Sequence, residues 1–175
     1  NAEAIPFKSE SPWINLYNIP FSNSEQETLL TDLVKIELID NIRVVTMNRP
    51  DKKNALTQDM YAVMADAVAN ADEDPQVRAV IITGVEDIFT SGNDLNDFLK
   101  APMDDAETPV WRFLRAIATT TTPLLAAVNG AGVGIGTTML LHCDFVYASE
   151  NARFHLPFIN LALVPEAASS LLLPR

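Results

Sequence analysis

Cysteine occurs once in this chain, at position 143, and histidine twice. One cysteine cannot form a disulfide within the chain, so a reducing compartment is expected. Two histidines and one thiol fall short of the usual zinc ligand sets, and no metal or redox cofactor is expected. Cys143 follows His142, but neighbours in sequence point in different directions on a helix or strand. The thiol is therefore read as a small buried side chain rather than a nucleophile, and His155 as a structural residue beside the core. Basic residues are also scarce. Twelve Lys and Arg stand against 23 Asp and Glu, a net charge of −11, which excludes nucleic acid and anionic membrane surfaces as main partners. No apolar run reaches the length of a membrane span; Thr122–Val128 is too short and is followed by glycines. The first residues, from Asn1, lack the basic and apolar regions of a secretory signal. The expected location is the cytoplasm of a bacterium, or a peroxisome or mitochondrion.

What is present is an ordinary globular balance, 48% hydrophobic and 20% charged over 175 residues, enough for one domain with a real core. Residues 1–30, rich in Ser, Asn and Pro, read as an extended arm or linker. The domain runs over 31–175. "VKIELID" and "IRVVTMN" flank Asp40-Asn41 and predict a hairpin. Met60, Val63, Met64, Ala67, Val68 and Ala71 recur at helical spacing behind a Thr57 N-cap. "VRAVIITG" and "PLLAAVNG" are buried-strand runs, "PVWRFLRAIATT" is a helix, and "FVYASE" and "ARFHL" are strands. Strands alternate with helices, so the class is α/β.

"NGAGVGIG" has glycines at 130, 132, 134 and 136. It is not a dinucleotide fingerprint, because the third glycine of that pattern falls on Ile135. Nor does a Gly-Lys-Ser/Thr close it as a phosphate loop. It reads as a tight turn into a short helix whose first N–H groups are free. "FTSGNDL" is a second loop of this kind. If the two converge, they form an oxyanion hole. The last stretch, "FHLPFINLALVPEAASSLLLPR", poses a separate question. Glu166 is its one formal charge before Arg175, and an ionised carboxylate in apolar surroundings is costly unless compensated. Pro165-Glu166 also fits a helix start.

"NRPDKKNALT", "FTSGNDLNDF", "AAVNGAGVGIGTTML", "CDFVYAS" and "ARFHLPFINLALVPE" together resemble the enoyl-CoA hydratase/isomerase, or crotonase, family, in order and spacing from about Leu33 to Arg175. The resemblance implies a ββα spiral with a smaller second sheet, here without the C-terminal helical part, and a homotrimer or dimer of trimers. It implies a CoA thioester as substrate, with the thioester oxygen held by the backbone N–H groups of Ser91 and Ile135. Asn54, Ala55 and Leu56 match the segment that touches CoA. Gly92, Asn93, Asp94 and Leu95 continue the CoA-side loop, with Asp94 also fitting a helix N-cap. Gly134 and Phe158 complete the substrate-facing set.

The two glutamates of the family's hydratases fall here on Thr138 and Phe158. Phe158 moves no proton and Thr138 is a poor base, so hydration by that route is disfavoured. "PFINLALVPEAASS" resembles the peroxisomal-type 3-enoyl-CoA to 2-enoyl-CoA isomerases, and Glu166 falls on their catalytic base. A single buried carboxylate can carry a proton between C2 and C4, and an apolar site makes it a stronger base. The alternatives are another acyl-CoA enzyme of the family, drawing on Asp97, Asp104 or Glu107, and a non-catalytic acyl-CoA-binding or protein-interaction domain. Those three acids otherwise read as a solvated face.

Overall fold

The computed structural model of the protein describes residues 32–98 and 107–175. The proposed arm over 1–30 and Asp104 lie outside them.

β1 (Val34–Ile39) and β2 (Ile42–Met47) form the expected hairpin. Asp40 and Asn41 both take positive φ, 49° and 66°, the turn geometry that matches the strands' right-handed twist. α1 (Gln58–Ala69) starts at Thr57, whose side chain accepts the Met60 N–H. Its apolar face buries Met60, Tyr61, Met64 and Val68. α3 (Pro109–Thr119) packs on it, with Phe113 against Tyr61 at a ring separation of 5.5 Å. The buried Arg43 on β2 is compensated by the Ala67 carbonyl at 3.0 Å and Asp74 at 2.8 Å, which tie the strand to the end of α1.

The remaining strands come in three consecutive pairs. β3 (Ala79–Gly84), β5 (Leu124–Val128) and β7 (Phe145–Ala148) extend the first sheet in parallel, giving the order β1-β2-β3-β5-β7. β4 (Ile88–Thr90), β6 (Ala131–Val133) and β8 (Arg153–His155) form a second, parallel sheet in the order β4-β6-β8. Each pair thus gives its first strand to the large sheet and its second to the small one, the expected α/β spiral. Crossing between sheets brings backbones close together. At Gly130, between β5 and β6, an added Cβ would lie 1.7 Å from the Asp87 carbonyl oxygen, so only glycine fits.

Asn54 locks the segment before α1 to the small sheet. Its side chain has no exposed surface. Its Oδ1 accepts the Arg49 N–H at 2.7 Å, and its Nδ2 donates to the carbonyls of Ile88 (3.0 Å) and Phe89 (3.1 Å) on β4. Thr90, equally buried, donates its hydroxyl to the Asn54 carbonyl at 2.6 Å. Asn54→Ala would take the side-chain partner from the part-buried Arg49 N–H and from the Phe89 carbonyl, while the Ile88 carbonyl keeps Asn129 Nδ2 at 3.3 Å. Chemical denaturation is expected to show a loss of about 1–3 kcal/mol, the range for a buried polar group left unsatisfied; a loss below about 0.5 kcal/mol would show that the lock does not bear on stability.

Candidate active site

Parallel neighbours in a sheet end side by side, about 4.8 Å apart. β4, β6 and β8 are such neighbours, in the register Thr90↔Gly132 and Val133↔His155. Their carboxyl ends therefore deliver residues 91–93, 134–135 and 156–158 to one rim, the edge of an α/β sheet at which ligands bind. The two glycine loops do converge. A Cβ on Gly136 would lie 2.5 Å from Thr90 Cγ2, and one on Gly92 would lie 3.0 Å from the Val133 carbonyl oxygen.

Gly134 turns the chain from β6 into α4 (Ile135–Thr138) with φ 57° and ψ −116°, and the space beside its Cα is open. A side chain is strained in that conformation. The Gly134 N–H donates to the His155 carbonyl at 2.8 Å. His155 itself is exposed on β8, not set beside the core as expected; its backbone holds the turn. Ile135 opens α4, where a helix has no internal acceptor for its first N–H groups. Its N–H meets no acceptor among the described residues.

The donor assigned to Ser91 is corrected by the hydrogen bonding. The Ser91 N–H is taken by the Lys53 carbonyl at 3.0 Å. Two residues on, Asn93 forms a parallel bridge with Leu56, made by Leu56 N–H to Gly92 O and Asp94 N–H to Leu56 O, both 2.8 Å. In a parallel bridge the central residue's own N–H points the opposite way. The Asn93 N–H is thus turned away from Leu56 and has no acceptor among the described residues. Backbone donors leave no trace in the residue type, so the sequence could not have distinguished positions 91 and 93.

Asn54 and Leu56 are corrected as well. Asn54 is sealed in its own hydrogen bonds and Leu56 is 2% exposed, so neither side chain meets a ligand. They shape the loop that presents Ala55 and Asn93. Asp94 is the expected N-cap. It accepts the N–H groups of Asn96 and Asp97 at the start of α2 (Leu95–Phe98), and its other oxygen pairs with Arg49 at 2.8 Å. The Arg49 hydrogen bond holds the Asp94 carboxyl below its usual range. Arg49 also donates to the Ala55 carbonyl at 2.9 Å, joining both loops. Asp97 caps α1 by accepting the Gln58 N–H at 2.6 Å, and Glu107 pairs with Arg115 at 3.6 Å. Leu95 is exposed. Phe158, buried, stands just past β8 on the rim.

Glu166 does not start a helix; α5 begins three residues later (Ser169–Leu172). It is half-buried, and its Oε1 accepts the Thr138 hydroxyl of α4 at 2.9 Å. Burial raises its pKa, against the opposing pull of that hydrogen bond. Tyr61 of α1, which no motif in the sequence marks, lies close enough to feel the Glu166 charge. Burial and that charge keep the phenol protonated, and its hydroxyl donates to Asn93 Oδ1. Cys143 is inert, its pKa pushed to about 12 by burial and by the neighbouring Asp144.

The arrangement unites two free backbone donors with one desolvated carboxylate. A sequence profile of the enoyl-CoA hydratase/isomerase family matches residues 37–175. The chain belongs to that family. It is 44% identical over 140 residues to enoyl-CoA delta isomerase 2 of Rattus norvegicus, covering 77% of this chain and 36% of that protein. It is 36% identical over 133 residues to 2,3-dehydroadipyl-CoA hydratase of Escherichia coli K12, covering 74% of this chain and 51% of that protein. The solved structure of Pseudomonas aeruginosa OdaA superposes with a TM-score of 0.80 at 50% identity, over 83% of this chain and 59% of that one. The chain thus spans between a third and about half of the length of these two curated relatives. Among the described residues, no helix is long and apolar enough to cross a membrane, and no cluster of three metal-ligating side chains occurs.

The raised pKa of Glu166 has a consequence for stability. Between the unfolded carboxyl pKa, about 4.3, and the higher folded value, the folded protein binds more protons than the unfolded chain. Stability therefore falls as pH rises through that window, and the penalty persists above it. Glu166→Gln, which cannot ionise, is expected to melt at a higher temperature than the parent at neutral pH. The difference should vanish below about pH 4, in melting curves collected across pH.

Proposed function

We propose that this protein is an enoyl-CoA isomerase that moves a double bond from C3 to C2 of a 3-enoyl-CoA, with Glu166 as its base. The observation that carries the proposal is a lone desolvated carboxylate packed against the helix that opens with Ile135. Glu166 removes a proton from C2, next to the thioester. The electron pair moves into a dienolate, and its oxygen takes up charge. The N–H groups of Asn93 and Ile135 hold that oxygen, Asn93 replacing Ser91 in this role. Glu166, now a carboxylic acid, returns the proton to C4, and the electrons settle into the 2-enoyl thioester. Burial favours this chemistry, because a carboxylate held above its ordinary pKa is a stronger base. Donors fixed where charge develops typically contribute about a hundred- to a thousand-fold each.

Both names, isomerase and hydratase, occur among the relatives. Isomerisation is favoured over hydration because the two hydratase carboxylates fall on Thr138 and Phe158. The Thr138 hydroxyl is already engaged as a hydrogen-bond donor to Glu166, and the Phe158 side chain offers no polar atom. Gly92, Ala55 and Leu95 line the CoA side of the same rim in this proposal.

The test is conversion of a 3-enoyl-CoA by the full-length protein, followed by the ultraviolet absorbance of the conjugated thioester. Glu166→Gln should lower kcat by about 10²–10⁴, the usual contribution of a positioned acid/base, with binding of the CoA ester retained. Undiminished conversion by the Gln variant would remove Glu166 from the role of base.

A further inference from the structure

Thr138 and His142 lie four residues apart, on α4 and on the 3-10 turn that continues it, Met139–His142. Both reach the segment that carries Glu166. Thr138, with no exposed surface, donates its hydroxyl to Glu166 Oε1 at 2.9 Å. The Nε2 of His142 lies 2.8 Å from the Ala167 carbonyl oxygen. A carbonyl only accepts, so His142 carries its proton on Nε2. The segment needs such support. Ala167 and Ala168 both adopt left-handed backbone, with φ 52° and 51°, a conformation that is strained for a non-glycine residue. Ser169 closes the turn from the other side, with its N–H (3.0 Å) and hydroxyl (2.7 Å) both on the Glu166 carbonyl.

We propose that Thr138 and His142 are positioning residues that clamp Glu166 at two points, fixing Oε1 and leaving Oε2 as the oxygen that carries the proton. This rests on Glu166 as the base. Among the described residues, Oε2 accepts no hydrogen bond. Ile135 opens the same short helix that bears Thr138, so base and oxyanion donor are registered by one rigid piece. A carboxylate turning freely about its last bond would divide its time between orientations. One held at Oε1 presents a single oxygen to the C2–C4 face. One of the two positions at which the hydratases carry a glutamate thus holds a hydroxyl donor to Glu166, a carboxylate at a third position.

The titratable groups that adjoin Glu166 are Tyr61, from α1, and His142, whose ring reaches the next residue's carbonyl. Neither is altered by Thr138→Val, which removes only the hydroxyl from a side chain of the same shape. A hydroxyl that donates to a carboxylate favours its charged form. Its loss therefore raises the pKa of Glu166 and moves the acid limb of the kcat/KM profile to higher pH.

Two measurements on the full-length protein separate the outcomes. The first is the titration of the Glu166 carboxyl carbon by 13C NMR, with the resonance assigned by its absence in Glu166→Gln. The second is isomerase turnover across pH. Thr138→Val should raise the titration midpoint and the acid limb together, and lower kcat about tenfold or more with KM unchanged. Thr138→Ser, which keeps the hydroxyl, should restore both. His142→Leu should lower kcat in the same way, and His142→Gln, which keeps a donor for Ala167, should restore it. A midpoint that does not move in Thr138→Val, or Leu and Gln variants of His142 that behave alike, would overturn the clamp. A shifted midpoint in a protein that does not isomerise would keep the clamp's geometry and overturn the proposed reaction instead. If Thr138→Val fails to fold, the His142 pair decides.

Discussion

The pairing of β6 with β4 on one side and β8 on the other is the constraint on which the site depends. Because all three run parallel, the chain leaves each at the same edge, and three loops far apart in sequence meet there. The large sheet makes this repeatable. β3, β5 and β7 each hand the chain across to the small sheet, and the crossing is tight enough to demand glycine at position 130. The site is thus a product of one connection made three times. Its accuracy comes from side chains that never meet a ligand. Asn54 and Thr90 bind the loop before α1 to β4, and Arg49 with Asp94 binds it to the loop after β4.

Two carboxylates on this rim show how environment divides roles. Asp94 faces a guanidinium and two backbone N–H groups, and its carboxyl is held below the usual range. Such a group stays ionised and serves as a cap and anchor. Glu166 has one hydroxyl donor, and burial wins over that hydrogen bond. Its proton is therefore held more readily than that of an ordinary carboxylate. Chains that run acid and base chemistry near neutral pH use such differences in surroundings. Tyr61, buried in the core, remains a neutral donor, pinned to Asn93.

Much of this was legible in the sequence because much of it is periodic or local. The hairpin about Asp40-Asn41, the Thr57 cap, the helix at Gln58–Ala69 and the buried runs that became β3 and β5 all follow from spacing and turn chemistry. Glu166 stood out as a charge with no neighbour to explain it, and Asp94 was recognised as a cap from its place before a helix. What stayed hidden depends on contacts between distant segments. Tyr61 is one aromatic on an apolar helix face until Asn93 is placed beside it. His155 looked like a core residue, yet only its carbonyl matters, because β8 is the outer strand of the small sheet. Asn54 was assigned to the CoA side because its segment resembles the family's CoA-contacting one; its side chain points into the protein.

The position of the oxyanion donor illustrates the limit most sharply. Any residue but proline supplies a backbone N–H, so no side chain distinguishes Ser91 from Asn93. Only the accounting of backbone hydrogen bonds does, and it is decided by the lone bridge to Leu56, which uses the atoms on both sides of Asn93 and leaves its own N–H turned outward. Thr138 shows the complementary case. Judged alone, a threonine in place of a glutamate is a lost base. Placed 2.9 Å from Glu166, it becomes a hydrogen-bond donor to a carboxylate at a third position, distinct from both hydratase glutamates. Only the fold shows that the threonine standing at the lost glutamate's position reaches a carboxylate 28 residues further along the chain.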